Sequence, residues 1–149
     1  MGKRRLAREY CLQTLYLADV AAISAEDFSS AMGEVFYDLD PEAKQFADKL
    51  SNGTLSEMAE LDKIIQSYAH NWKLSRMSAV DRSILRMATY EIIHCPEIPL
   101  PAVIDEAIEM AKRFSTENSG RFINGVLDRL KEQRRADKAE PPNDAGTGN

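Results

Sequence analysis

From Val103 to Leu130 the apolar residues return every three or four positions, and this rhythm, sustained twice, fits a pair of helices and nothing extended. Val103, Ile104, Ala107, Ile108, Met110, Ala111 and Phe114 make the first stripe; Phe122, Ile123, Val126, Leu127 and Leu130 make the second. Between them Ser115-Thr116-Glu117-Asn118-Ser119-Gly120 gathers residues that bond their own backbone and cap helices. Gly125 sits inside the second stripe, where a glycine costs about 1 kcal/mol against alanine. That cost predicts the close approach of another helix at the missing Cβ. Lys112, Arg113, Asn118 and Arg121 surround Phe122, so the ring reads either as core or as a stacking surface flanked by cations.

The rest of the chain repeats the helical period. A first helix is expected over about Lys3 to Ala22, burying Ala7, Cys11, Leu15, Ala18 and Ala22, with Arg4, Arg5 and Arg8 on the opposite side. Cations at a helix start oppose the macrodipole, so local stability does not explain them. They read as a solvated basic face or as a phosphate site. Tyr16, two turns after Arg8, is either a second stacking surface or a core-edge tyrosine. Ser24 and Asp27 open a second helix carrying Phe28, Met32, Val35, Phe36 and Leu39. Asp40-Pro41 opens a third, whose phase carries through Asn52-Gly53 to Tyr68 and predicts one long helix.

Asn71 to Arg76 is a connection in which Trp72 is expected to anchor the core edge. Ser78 and Asp81 cap a fourth helix to about His94, with Val80, Ile84, Leu85, Met87, Ala88 and Ile92 inward. Its charges Asp81, Arg82, Arg86 and Glu91 are spaced to pair along one helix, as a solvated face or as a docking face. Pro96, Pro99 and Pro101 then forbid helix, and Pro101 opens the next one. Past Arg135 no apolar residue exceeds alanine, so 136–149 is expected to be a disordered tail behind a single domain over 1–135. No stretch alternates at period two. The fold class is all-α, about six to seven helices in two packed three-helix sub-bundles.

Charge is unevenly spread. The net charge is −5, yet residues 1–13 carry +3 and residues 112–135 carry +4, leaving −12 on the remainder. An anion responds to that local field and not to the net charge. Cys11 and Cys95 lack the spacing of a metal or disulfide framework, and no apolar run is long enough to span a bilayer, so a reducing cytoplasm is the expected compartment.

VIDEAIEMAK (Val103–Lys112), the polar corner and RFINGVLD (Arg121–Asp128), together with Val80–Ile93 and KRRLARE (Lys3–Glu9), resemble the NusB family of bacterial transcription antitermination factors. The resemblance covers about residues 3 to 130. It implies that the two basic segments meet in space and bind a boxA-like single-stranded RNA element of ribosomal RNA transcripts. It further implies joint binding with NusE, a small ribosomal protein, within the antitermination complex of RNA polymerase. The RNA face implied is Lys3, Arg4, Arg5, Arg8, Arg121 and Phe122; the residue reading above adds Tyr16 and Asn118 as candidates. The partner face implied is the fourth helix at Asp81, Arg82, Leu85 and Arg86. One departure is that the basic run begins almost at Met1, which leaves less of a flexible arm.

No Gly-rich phosphate loop, GxSxG turn, H-E-x-x-H or CxxC is present, so no catalytic role or cofactor is expected. Asp105, Glu106 and Glu109 lie in the N-terminal half of a helix, where the dipole favours acids. His70 and His94 lack a ligand set. Two alternatives remain: a non-catalytic accessory to an RNA methyltransferase, and a helical homodimer using the same faces.

Overall fold

The computed structural model describes residues 2–21 and 39–134. The expected second helix and the 136–149 tail lie outside those residues, apart from Leu39. Six α-helices are seen: α1 (Lys3–Ala21), α2 (Pro41–Ser56), α3 (Met58–Tyr68), α4 (Ala79–His94), α5 (Leu100–Phe114) and α6 (Glu117–Leu130), with a 3-10 turn at Leu74–Arg76. Among the described residues there is no strand, and no helix is long and apolar enough to cross a membrane.

The starts follow the caps written in the sequence. The Asp40 carboxylate accepts from the Ala43 N–H at 2.8 Å ahead of Pro41. The Ser78 hydroxyl accepts from Asp81 at 3.1 Å, and the Thr116 hydroxyl accepts from Ser119 at 3.0 Å. Each satisfies an N–H that the first helical turn leaves without a partner.

The single long helix expected over Pro41–Tyr68 is two helices. Glu57, at φ −102° and ψ 12°, is the joint. Asn52-Gly53 does not break the helix; Gly53 is there because α4 comes close. A Cβ on Gly53 would lie 2.2 Å from Cζ of Tyr90. The chain then bends one turn later, and both α2 and α3 stay against α4.

α4 is the hub. It packs on α1, α2, α3, α5 and α6, while α1 pairs with α2 and α5 pairs with α6. Every residue from Ser83 to Ile92 is buried. One core runs through all six helices, from Cys11 and Leu15 through Leu50, Leu61 and Ile65 to Ile84, Leu85, Met87, Met110, Ile123 and Leu127. Beside it Ala7, Tyr10 and Ala47 form a small satellite with Leu17, Leu39 and Phe46.

Candidate nucleic-acid interface

The basic run on α1 is largely neutralised from within the chain. Lys3 lies 3.3 Å from Asp40 and 3.1 Å from Glu42. Arg5 donates twice to Glu106, at 3.0 and 2.9 Å. This pairing, opposed by partial burial, holds the Glu106 carboxyl below its ordinary value. Arg4 meets no carboxylate among the described residues; its guanidinium sits 4.9 Å from the centroid of Phe46.

Arg8 corrects the expectation of an outward cation. It is 4% exposed and donates twice to Glu91, at 2.9 and 2.8 Å. Burial disfavours its charge, but the Glu91 hydrogen bonds and attraction outweigh that penalty, so its pKa is raised. The reason is that α1 packs on both α2 and α4. The buried arc therefore takes in Ala7, Arg8, Tyr10, Cys11, Leu12, Thr14 and Leu15, wider than the single stripe expected.

Of the α4 side chains expected to form a docking face, Leu85 and Arg86 are buried, and Asp81 and Arg82 are partly buried and tied to partners within the chain. Leu85 is wholly buried. Arg86, 8% exposed, donates to both Asp62 oxygens at 2.8 and 2.9 Å. Arg82 donates to Asp19 at 2.9 Å and to the carbonyls of Leu74 and Met77 at 3.0 and 2.9 Å. Asp81 accepts from the Ser119 hydroxyl at 2.8 Å. Glu91, expected on the same face, is the buried partner of Arg8. From Ser83 onward the hub helix has no free side, and its charges are held by partners because unpaired burial would be costly.

The corner between α5 and α6 turns Ser119 inward onto Asp81 and leaves other polar groups outside. Asn118 and Arg121 are exposed, with Arg121 donating to the Asn118 side-chain oxygen Oδ1 at 3.1 Å. Arg113 pairs with Glu9 of α1 and lies 4.9 Å over the Phe114 ring. Phe122 is half-buried, packed on the core from one side. Its other neighbour is Trp72, in an edge-to-face pair with centroids 5.4 Å apart at 64°. Trp72 is 58% exposed, so it caps the surface and does not anchor the core edge as expected. Gly125 also departs from expectation: nothing lies within 4 Å of a Cβ built there. Arg129, on the same stripe of α6, donates to the Tyr68 carbonyl at 2.8 Å. Arg134, counted in the basic segment, is buried instead and donates to the carbonyls of Glu91, Ile92, Cys95 and Ile98 where α4 ends.

Tyr16 is exposed and lines an apolar groove of about 410 Å³ with Leu12, Leu17, Val80 and Phe114. Because Asp81 is bonded to Ser119, this groove and the α6 corner flank the same start of α4. Tyr16 thus lies in a groove at the α4 start that the α6 corner also touches, and not among the residues lining Phe122. Lys3, Arg4 and Arg5 lie roughly 18 Å further back along α1, at 1.5 Å per residue. Sequence reasoning missed Trp72; its signal was a lone tryptophan in a polar, non-helical connection.

A family model described as NusB family matches residues 5–132. A transcription antitermination protein NusB of Elusimicrobium minutum is 55% identical over 91% of this chain and 97% of its own. Among solved structures, NusB of T. maritima shares 36% identity at a TM-score of 0.79, covering 89% of this chain and 92% of that one. A structure of antitermination factors NusB and NusE in complex with dsRNA has the same fold, at TM-score 0.81 and 24% identity, covering 89% of this chain and 98% of that one.

Proposed function

The chain belongs to the NusB family, and on that premise we propose that it is a cytoplasmic transcription antitermination factor that binds a boxA-like single-stranded RNA element of ribosomal RNA transcripts together with NusE. In this reading it supports processive transcription as part of the antitermination complex of RNA polymerase. The observation that carries it is the outward stripe of α6, where Asn118, Arg121 and Phe122 stand together on a chain of net charge −5. Unpaired bases are read by stacking on rings and by hydrogen bonds to their edges, with cations on the phosphates. The proposed RNA face is Asn118, Arg121, Phe122 and Tyr16, with Lys3, Arg4 and Arg5 reaching phosphates further along the strand. Arg8 holds α1 on α4 and touches no RNA.

For the protein partner, the buried state of Leu85 and Arg86 moves the contact off the α4 positions first expected. The accessible apolar surface nearby is the groove of Tyr16, Val80 and Phe114. The same groove favours a second reading, a homodimer closing on itself. Sedimentation of the chain alone and with RNA separates the two: a dimer that dissociates on adding RNA supports self-association over these faces.

The test of the main reading is a titration of boxA-like RNA into the chain with and without NusE. RNA affinity should rise when NusE is present, and NusE affinity should rise by the same factor when RNA is present. Binding of neither ligand overturns the reading.

A further inference from the structure

Which cations lack a carboxylate partner is more telling than where cations cluster in sequence. Lys3, Arg5, Arg8, Arg82, Arg86 and Arg113 are each paired with acids of this chain. Arg4, Lys73, Arg76, Lys112, Arg121 and Arg129 are not paired with a carboxylate among the described residues. Arg4 lies apart, over Phe46, and Lys112 lies on α5; the other four fall on the Trp72 connection and the outward stripe of α6. Lys73 and Arg76 follow Trp72 on its own connection; Arg121 adjoins Phe122; Arg129 lies on the same stripe, tied to Tyr68 where α3 ends.

Trp72 itself is held for exposure. Its N–H donates to the Ala69 carbonyl at 3.1 Å, and its carbonyl accepts from the Gln66 amide at 2.7 Å. Gln66 also accepts from the Leu74 N–H at 2.9 Å. The backbone on both sides of the ring is therefore pinned, while the indole remains 58% exposed against the edge of Phe122. One turn beyond Phe122, Gly125 leaves open space where any other residue would place a side chain. A helix is weakened by that glycine relative to alanine and gains no internal contact from it.

We propose that Trp72 is a base-stacking residue, and that Trp72 and Phe122 form one aromatic platform for unpaired RNA bases, with Lys73, Arg76, Arg121 and Arg129 on the phosphates and Gly125 giving the strand room to lie close to α6. This rests on the RNA-binding reading above and adds a residue to it. A polyanion with flat bases matches both the rings and the cations.

The chain has a single tryptophan, so its own fluorescence reports on this site. The experiment titrates the full chain with a single-stranded RNA of about a dozen nucleotides, within the footprint range of such sites. Anisotropy of a label on the RNA is followed in parallel. The expected result is saturable quenching of Trp72 with the same midpoint as the anisotropy. Trp72→Ala should weaken binding roughly 5- to 150-fold, and Trp72→Phe should retain most of it. Thermal melts of both variants verify that each is folded. Normal anisotropy without quenching, and with Trp72→Ala binding as tightly as wild type, overturns the platform while leaving the RNA-binding reading intact. No anisotropy change for wild type overturns both. Quenching by NusE but not by RNA assigns the ring to a protein contact and overturns the stacking role.

Discussion

Arg8 of α1 and Glu91 of α4 face each other through two hydrogen bonds, at 2.9 and 2.8 Å, with 4% and 1% of their surfaces exposed. The pair fixes the register of the first helix on the hub and consumes a cation that the sequence offered as a phosphate ligand. Removing one partner of such a buried pair strands the other charge. Arg8→Ala should therefore cost about 3–5 kcal/mol of stability, read by urea unfolding. Arg4→Ala, at an exposed site, should stay within about 0.5 kcal/mol. Equal stability of the two variants would remove the structural role assigned to Arg8.

Gly53 and Gly125 predict opposite signs. Gly53→Ala drives a methyl into the Tyr90 ring and should destabilise by about 1–3 kcal/mol, as overpacking does. Gly125→Ala meets open space and should stabilise by up to about 1 kcal/mol. Denaturant unfolding of the two variants gives both signs in one series. Loss of stability at Gly125 would mean that the helix is closed over there after all.

Acid should weaken the fold through two carboxyls whose pKa values are lowered. The Ala43 N–H and then Lys3 hold Asp40 down, and the Arg5 hydrogen bonds hold Glu106 down. A carboxyl whose folded pKa lies below its unfolded one adds stability above the unfolded value and loses it as pH falls. Unfolding free energy should thus decline from about pH 5 downward. Glu106→Gln should lower stability at neutral pH and flatten that decline. An unchanged pH slope would show that the Arg5–Glu106 pair adds nothing.

Cys11 is completely buried, and burial pushes its thiol up to about 12. A neutral thiol in the core is a poor nucleophile. A thiol reagent at mildly alkaline pH should modify Cys11 only as fast as the chain unfolds. Rapid labelling of the native protein would contradict the packing of α1.

Much of this architecture is legible in the sequence because it is local. Ser78, Asp40 and Thr116 mark helix starts through bonds that reach only three residues ahead. The α5–α6 pair follows from two uninterrupted stripes. What the sequence conceals depends on how many neighbours an element has. α4 has an amphipathic pattern, but with helices on all sides even Arg86 and Glu91 are interior, so its charge order resembled a surface. Arg8 was hidden for the same reason on α1. Gly53 and Gly125 look alike in sequence, and only the presence of Tyr90 beside one and of nothing beside the other separates them. Trp72 was misread because a large apolar side chain is usually buried, although the polar, non-helical connection around it was a local signal that it runs over the surface.

The most direct test of the central claim is the salt dependence of RNA affinity. Neutralising phosphates on a single strand makes the logarithm of affinity fall against the logarithm of salt with a slope of about −0.7 per phosphate. Wild type should give a steep negative line despite its net charge of −5. Replacing Arg121 and Arg129 together by alanine should make that slope shallower by about 1.4, two phosphates' worth. A flat line for wild type, or a slope untouched by the double replacement, would contradict the assignment of the α6 stripe as the phosphate-binding face.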